Sequence, residues 1–380
     1  MHILYIYPEI SIKGGADKVL TEKANYLATH GYQVTFLTEA QMGRPLSFEL
    51  APEVRHIDMA LDFNKQYSQH PLCRLFTYAS LMRQYRKQLK QVLAELHPDI
   101  TITTMGRSLS LLSKMHDGSV KLGEAHTTKR HLRSLHLMEQ RGGLFRLLAK
   151  YMRWSMERSA SKLAAIVLLT PKDAEEWSPI TKTYVIPNPI SFYPAAGAAL
   201  DNKQVIMVGR YNDAKGYDYL IPAWNIVHQR HPEWQLNVFG SGELRDDVVR
   251  WVREHHLEDT IMLHHPTDDI MHEYLQSSVC VLSSRYEGFS LVILEAMSCG
   301  VPVVSFDCPY GPRHIIRDGE DGLLVEYLNP QALADGICRP IEDAELRKHM
   351  GQAARQNILR FSKDAVMKQW EELFRNITQS

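Results

Sequence analysis

The chain reads as two doubly wound α/β domains, each a parallel sheet covered by helices on both faces, and three observations predict this. Short aliphatic and β-branched runs alternate with stretches of helical periodicity along most of its length. The runs are apolar at consecutive rather than alternate positions, as expected of strands buried on both faces. The series breaks once, near residues 190–203, and then resumes.

In chain order, "HILYIYP" (2–8) is the first expected strand. The segment from Asp17 to about His30 has helical spacing, and Gly31 is placed to end it. Strands are expected at 33–38, 99–104, 120–126, 164–170 and 183–189. The stretch "ISFYPAAGAALDNK" reads as a linker. A second series of strands follows at 204–210, 234–240, 260–265, 279–284, 301–306 and 322–326, with a last helix at 362–377. The expected domains are therefore 1–190 and 191–361, with a terminal helical segment at 362–380. In sheets of this kind, ligands sit outside the carboxyl ends of the strands.

Bulk properties exclude several classes. At 44% hydrophobic and 23% charged, the composition is that of an ordinary globular protein. No uncharged apolar run approaches the ~18–20 residues of a spanning helix, and the amino terminus lacks the features of a secretory signal. Five scattered cysteines (Cys73, Cys280, Cys299, Cys308, Cys338), with no CxxC spacing, suggest reduced thiols in a cytoplasmic protein and no metal site. The net charge of −1 conceals an asymmetry. Residues 1–190 hold 25 Lys and Arg against 17 Asp and Glu, a net of +8, while the remainder holds 18 against 27, a net of −9. A basic first domain suits an anionic partner, although uneven solvated surface would give the same count.

The chemistry concentrates at two strand ends. After the strand at 204–210, Arg210 and Lys215 stand at a strand-to-helix turn, where a guanidinium fork and an ammonium suit a diphosphate. Taken alone, the pair fits a solvated loop equally well. After the strand at 279–284, the turn "EGFS" leads into a helix, whose free backbone N–H groups form an anion site that Gly288 lets a ligand approach. Glu287 sits at the mouth of this turn, and Glu295 follows on the helix within a largely apolar run. Carboxylates accept from paired sugar hydroxyls, so two of them flanking a phosphate-binding turn suit a nucleotide-sugar, although Glu287 could simply be a favourable charge at a helix start and Glu295 an exposed helix residue.

These motifs resemble the family 4 retaining glycosyltransferases of the GT-B fold. "GRYNDAKG", "FGSGE", "EGFSLVILEAMSCGVPVVSFDCPYGPRHII" and "DGEDGLLV" match that family in order and spacing, and "GGADKVL" and "VIPNPI" agree in the first half. The similarity is dense in the second half and sparse between residues 40 and 110. It implies two Rossmann-like domains facing a central cleft, with the last helix crossing back to the first domain. It further implies that Arg210 and Lys215 hold the donor diphosphate. Glu287 then binds hydroxyls of the transferred sugar, with backbone groups of Gly288, Phe289, Ser290 and Leu291 beside it, and Glu295 binds the ribose. The base is expected near Gly240, Glu243 and His265, while Gly14 and Gly15 approach the phosphates from the other domain. His126, in "GEAHTT", matches the family's histidine near the reacting sugar. No metal or other cofactor is implied, and the expected donor is a UDP-sugar.

For the acceptor, Arg83, Arg86, Lys87 and Lys90 form one basic stripe on a helix expected over 73–93. A second region, 127–154, mixes cations with aromatic and aliphatic residues. Both suit an anionic membrane surface or an isoprenoid diphosphate carrier, although an ordinary solvated helix face would read the same way, and neither carries a nucleic-acid recognition module. The resulting expectation is a hexosyltransferase acting on a lipid-linked, lipopolysaccharide or capsule glycan, peripheral to the inner face of the cytoplasmic membrane. A phosphorylase, a sugar-nucleotide epimerase and a silent nucleotide-sugar-binding subunit remain open alternatives.

Overall fold

The computed structural model describes residues 1–11, 14–68 and 70–379. Its chain divides into two compact units, Met1–Ile186 with Met367–Ser380, and Pro187–Val366.

The first unit holds a seven-stranded parallel sheet of β1 (His2–Tyr7), β2 (Gln33–Thr38), β3 (Val54–Asp58), β4 (Ile100–Thr103), β5 (Val120–Glu124), β6 (Ala165–Leu168) and β7 (Thr183–Val185). The order is β3-β2-β1-β4-β5-β6-β7, so the topology reverses between β1 and β4. One strand was not expected: β3 is an edge strand whose Arg55 and His56 are exposed, so its sequence "VRHID" lacks the continuous apolar signature. Helices cover the sheet. Tyr85, Leu89 and Leu93 of helix Pro71–Leu96 pack with Leu4, Ile6 and Leu37, while Met156, Ala160 and Trp177 pack with Ile166 and Leu168. Burying each such aliphatic side chain stabilises by roughly 1.5–3 kcal/mol.

The second unit repeats the plan with six parallel strands: β8 (Gln204–Val208), β9 (Gln235–Phe239), β10 (Ile261–His264), β11 (Val279–Leu282), β12 (Val303–Phe306) and β13 (Gly322–Val325). Their order is β10-β9-β8-β11-β12-β13, and the reversal falls between β8 and β11. Its core joins Trp224, Tyr217 and Val227 of helix Tyr217–Arg230 to Leu333 and Ile337 of helix Pro330–Glu342 over the sheet. The segment expected to be a linker is part of this unit: Ala198 N donates to Cys299 O, and the Arg355 guanidinium binds the carbonyls of Pro194 and Ala195. A run of small residues reads as flexible in sequence but here allows close packing.

Among the described residues, no helix is long and apolar enough to cross a membrane.

Candidate active site

Both strands at the reversal point of the second sheet end in polar turns. Beyond β8, Gly209 leads to exposed Arg210 and to a 3-10 turn, Asp213–Lys215. Two glycines let these loops approach. A Cβ on Gly240 would lie 1.9 Å from Gly209 O, and one on Gly216, at φ +62°, would lie 2.2 Å from Ser283 O. The Lys215 stem lies over Gly209, where an added Cβ would stand 3.1 Å from Lys215 Cε.

This packing aims Lys215 at the turn beyond β11. Lys215 Nζ is 2.7 Å from Glu287 Oε1, and Ser284 Oγ donates to the same oxygen at 2.7 Å. Ser283 Oγ donates to Lys215 O at 2.8 Å, tying the two loops together. Glu287 is also held by a bridge to Tyr310, and a Cβ on Gly311 would approach its own at 3.1 Å. Lys215 is thus paired within this corner, and Arg210 is exposed just beyond β8.

Gly288, Phe289 and Ser290 connect Glu287 to helix Leu291–Ser298. Phe289 is buried edge-on against Phe361, so only its backbone remains available. The Ser290 hydroxyl is buried with no hydrogen-bond partner at the helix start, where the first N–H groups lack intrahelical acceptors. Ile293, Leu294, Ala296 and Met297 bury the helix, and Glu295 is 7% exposed with the Tyr274 hydroxyl donating to its Oε2 at 3.5 Å. At the neighbouring strand ends, Gly240 is buried, Glu243 and His265 are exposed, and the His264 ring stacks on Phe239 at 4.5 Å.

In the first unit, Gly14 caps helix Gly15–Thr29, while Ile12 and Lys13 before it lie outside the described residues. His126 follows β5, and its Nε2 stands 3.0 Å from Glu124 Oε1. That same oxygen lies 2.6 Å from Lys23 Nζ. Lys23 and Glu124 are each 2% exposed, and Trp370 covers the ammonium with its ring centre 3.5 Å from Nζ. Burial pushes the Glu124 carboxyl up, but Lys23 and then His126 outweigh it and hold it at about 2.

Arg83, Arg86, Lys87 and Lys90 are exposed on helix Pro71–Leu96. Helix Gly143–Ala160 turns Ala149, Met156 and Ala160 inward and leaves Leu144, Leu147, Tyr151 and Trp154 at 79%, 64%, 62% and 53% exposure. Among the described residues, one group has metal-ligating spacing, His231, Cys338 and Glu342, and it shares no residue with those expected at the sugar site.

Sequence reasoning missed Ser283 and Ser284, although two serines closing an apolar strand are a readable sign of a polar site at its end. It also missed Lys23 and Glu124, since an isolated charge in a helix or a strand gives no sign of a partner about a hundred residues away.

Residues 193–357 match the family model for "Glycosyl transferases group 1". An uncharacterized glycosyltransferase of Haemophilus influenzae is 28% identical, covering 95% of this chain and 96% of its own. The amylovoran biosynthesis glycosyltransferase AmsD of Erwinia amylovora is 26% identical, covering 98% of this chain and 99% of its own. A structure of a mutant S. aureus TarM, in complex with Fondaparinux, alpha-GlcNAc-glycerol and UDP, superposes with a TM-score of 0.79 at 16% identity, over 98% of this chain and 99% of that one. The structural likeness establishes the two-Rossmann architecture of the GT-B fold, and the family model supports a GT-B glycosyltransferase.

Proposed function

We propose that the protein is a retaining glycosyltransferase that moves a hexosyl group from a UDP-sugar to a hydroxyl of a lipid-linked, lipopolysaccharide or capsule-type glycan. The observation that carries this reading is the Lys215–Glu287 pair at the reversal point of the second sheet, with Arg210 exposed just beyond β8. A diphosphate arriving there meets two cations and the N-terminus of helix Leu291–Ser298. As Lys215 turns to phosphate, Glu287 is freed to accept from sugar hydroxyls.

In the proposed reaction the bond from C1 of the sugar to the phosphate oxygen breaks, and the acceptor oxygen bonds to C1 on the same face. The departing phosphate oxygen takes the acceptor proton, while Arg210 and Lys215 stabilise the developing charge. No protein base is required, and His126 serves to donate to the sugar or to orient the acceptor. Glu295 holds the ribose, and the residues about Gly240, Glu243 and His265 hold the base. The reaction proceeds without a metal, its cations and helix terminus doing what Mg²⁺ does elsewhere.

The UDP in the TarM complex supports the donor, and the amylovoran role of AmsD supports a polysaccharide acceptor. The exposed apolar face of helix Gly143–Ala160 and the basic stripe from Arg83 to Lys90 support work at an anionic membrane surface.

A panel of UDP-sugars, read by thermal stabilisation and then by transfer to a lipid-linked acceptor, tests the proposal. Transfer by wild type and its loss in Glu287→Ala, with UDP still stabilising the variant, is the expected result. Full activity in that variant would refute the site, and epimerised or phosphorolysed sugar would identify a different reaction.

A further inference from the structure

The Glu124 carboxylate is buried, ionised and shared. Its Oε1 lies 2.6 Å from Lys23 Nζ and 3.0 Å from His126 Nε2, whereas its Oε2 has no hydrogen-bond partner. Such a pair is a weak source of stability, because removing two charges from water offsets most of their attraction. Stability alone thus gives little reason for this arrangement, and its orientation toward His126 gives a better one.

Four elements build it. Lys23 comes from helix Gly15–Thr29, which begins at the glycine pair. Glu124 ends β5, and two residues on, His126 leaves the strand end. Trp370 of helix Lys363–Thr378 lies over Lys23, with Tyr5 of β1 on another side, 5.7 Å from Nζ to ring centre. The Tyr5 hydroxyl is neutral, its pKa raised well above the usual value by burial and by Glu124, so Lys23 and Glu124 are the charges facing His126 from these elements. The His126 side chain is 11% exposed. Its Nδ1 is buried without a partner, and Nε2 is near Oε1 without being aligned in a hydrogen bond. Catalytic hydrogen bonds commonly tighten only when substrate is present.

Resting on the transferase reading above, we propose that Glu124 is the positioning residue for His126, and that Lys23 keeps its carboxylate charged in a dry site. Glu124 accepts from Nε2–H and so fixes the ring orientation and the tautomer whose Nδ1, buried in the unliganded chain, accepts from a substrate hydroxyl when substrate engages the ring. Neither Glu124 nor Lys23 touches substrate. Their influence passes through the imidazole.

The test uses the full chain with ¹⁵N-labelled histidine, its His126 signals assigned by their loss in His126→Asn. Glu124→Gln is expected to shift both ring-nitrogen signals and to lower kcat by about ten- to a hundredfold, with KM for the donor within about twofold. In the His126→Asn background it is expected to add no further loss. Because Glu124→Gln leaves Lys23 buried and unpaired, the double variant Lys23→Met with Glu124→Gln is made in parallel. It removes both charges in similar shapes and is expected to fold and to reproduce the same shifts and loss. Unmoved His126 signals in the double variant, or losses that multiply with His126→Asn, would overturn the proposal. If wild-type protein transferred no sugar at all, the ring signals alone would still decide whether Glu124 positions His126.

Discussion

Lys215 Nζ lies 2.7 Å from Glu287 Oε1, joining the loop after β8 to the loop after β11. With side chains only 18% and 13% exposed, each partner is partly desolvated and depends on the other until a ligand replaces it. Lys215→Met is therefore expected to weaken UDP binding about tenfold to a hundredfold, as loss of a charge-assisted contact does, and to lower kcat/KM further. Glu287→Gln should keep UDP affinity within a few-fold and lose transfer. Calorimetry with UDP and initial rates separate the two, and equal losses of UDP affinity in both variants would contradict the division of roles.

The glycines that let these loops meet should tolerate no side chain. Gly240→Ala places a Cβ 1.9 Å from a backbone oxygen, and Gly216→Ala combines a clash at 2.2 Å with a left-handed φ of +62°. Each is expected to cost about 1–3 kcal/mol. Chemical denaturation measures this, and wild-type midpoints would show that the loops yield freely.

A pH effect is expected from Asp173. The residue is 4% exposed, and burial raises its carboxyl to about 6 from 3.8. A group whose folded pKa is raised favours the folded state fully below the unfolded value and loses that advantage as pH rises through the folded one, here between about 4 and 6. Asp173→Asn can still accept from Lys129 N, which donates to Oδ1. It should match wild type near pH 4 and exceed it by up to about 3 kcal/mol at pH 7.5. Thermal melts at the two pH values decide the matter, and a gain present equally at both would exclude the carboxyl as its source.

The outward face of helix Gly143–Ala160 should bind vesicles that contain anionic lipid. Leu144, Leu147, Tyr151 and Trp154 provide apolar contact, and exposed Arg146 and Lys150 add about 1 kcal/mol apiece near a negative surface. Co-sedimentation with phosphatidylglycerol vesicles is expected to fall at least tenfold in Leu147→Glu with Tyr151→Glu, and to weaken with salt. Binding unchanged by both substitutions would place the contact elsewhere.

Strand positions were legible wherever continuous apolar runs are buried on both faces. β2 spans Gln33–Thr38 as expected, and the expected run at 204–210 contains β8. β3 was hidden because an edge strand can expose Arg55 and His56. In the site, Lys215 and Glu287 could be expected to meet because their turns follow two strands of one repeated plan. The Lys23–Glu124 pair could not, since only the folded sheet brings a helix residue and a strand end 101 positions apart within 2.6 Å.

The placement of Trp370 over Lys23 also bears on the order in which the chain acquires its structure. Residues from Met367 onward complete the first unit, whereas Pro187–Val366 contains everything its own sheet requires. On the ribosome, the half that emerges first must therefore wait for the last helix. At about 5–20 residues per second, the interval between Ile186 and Trp370 is roughly ten to forty seconds. Throughout it the buried ion pair lacks its aromatic lid. A protein whose leading half is finished last is exposed to premature termination near its end: a product ending at Val366 would retain a whole second unit and an unsealed first.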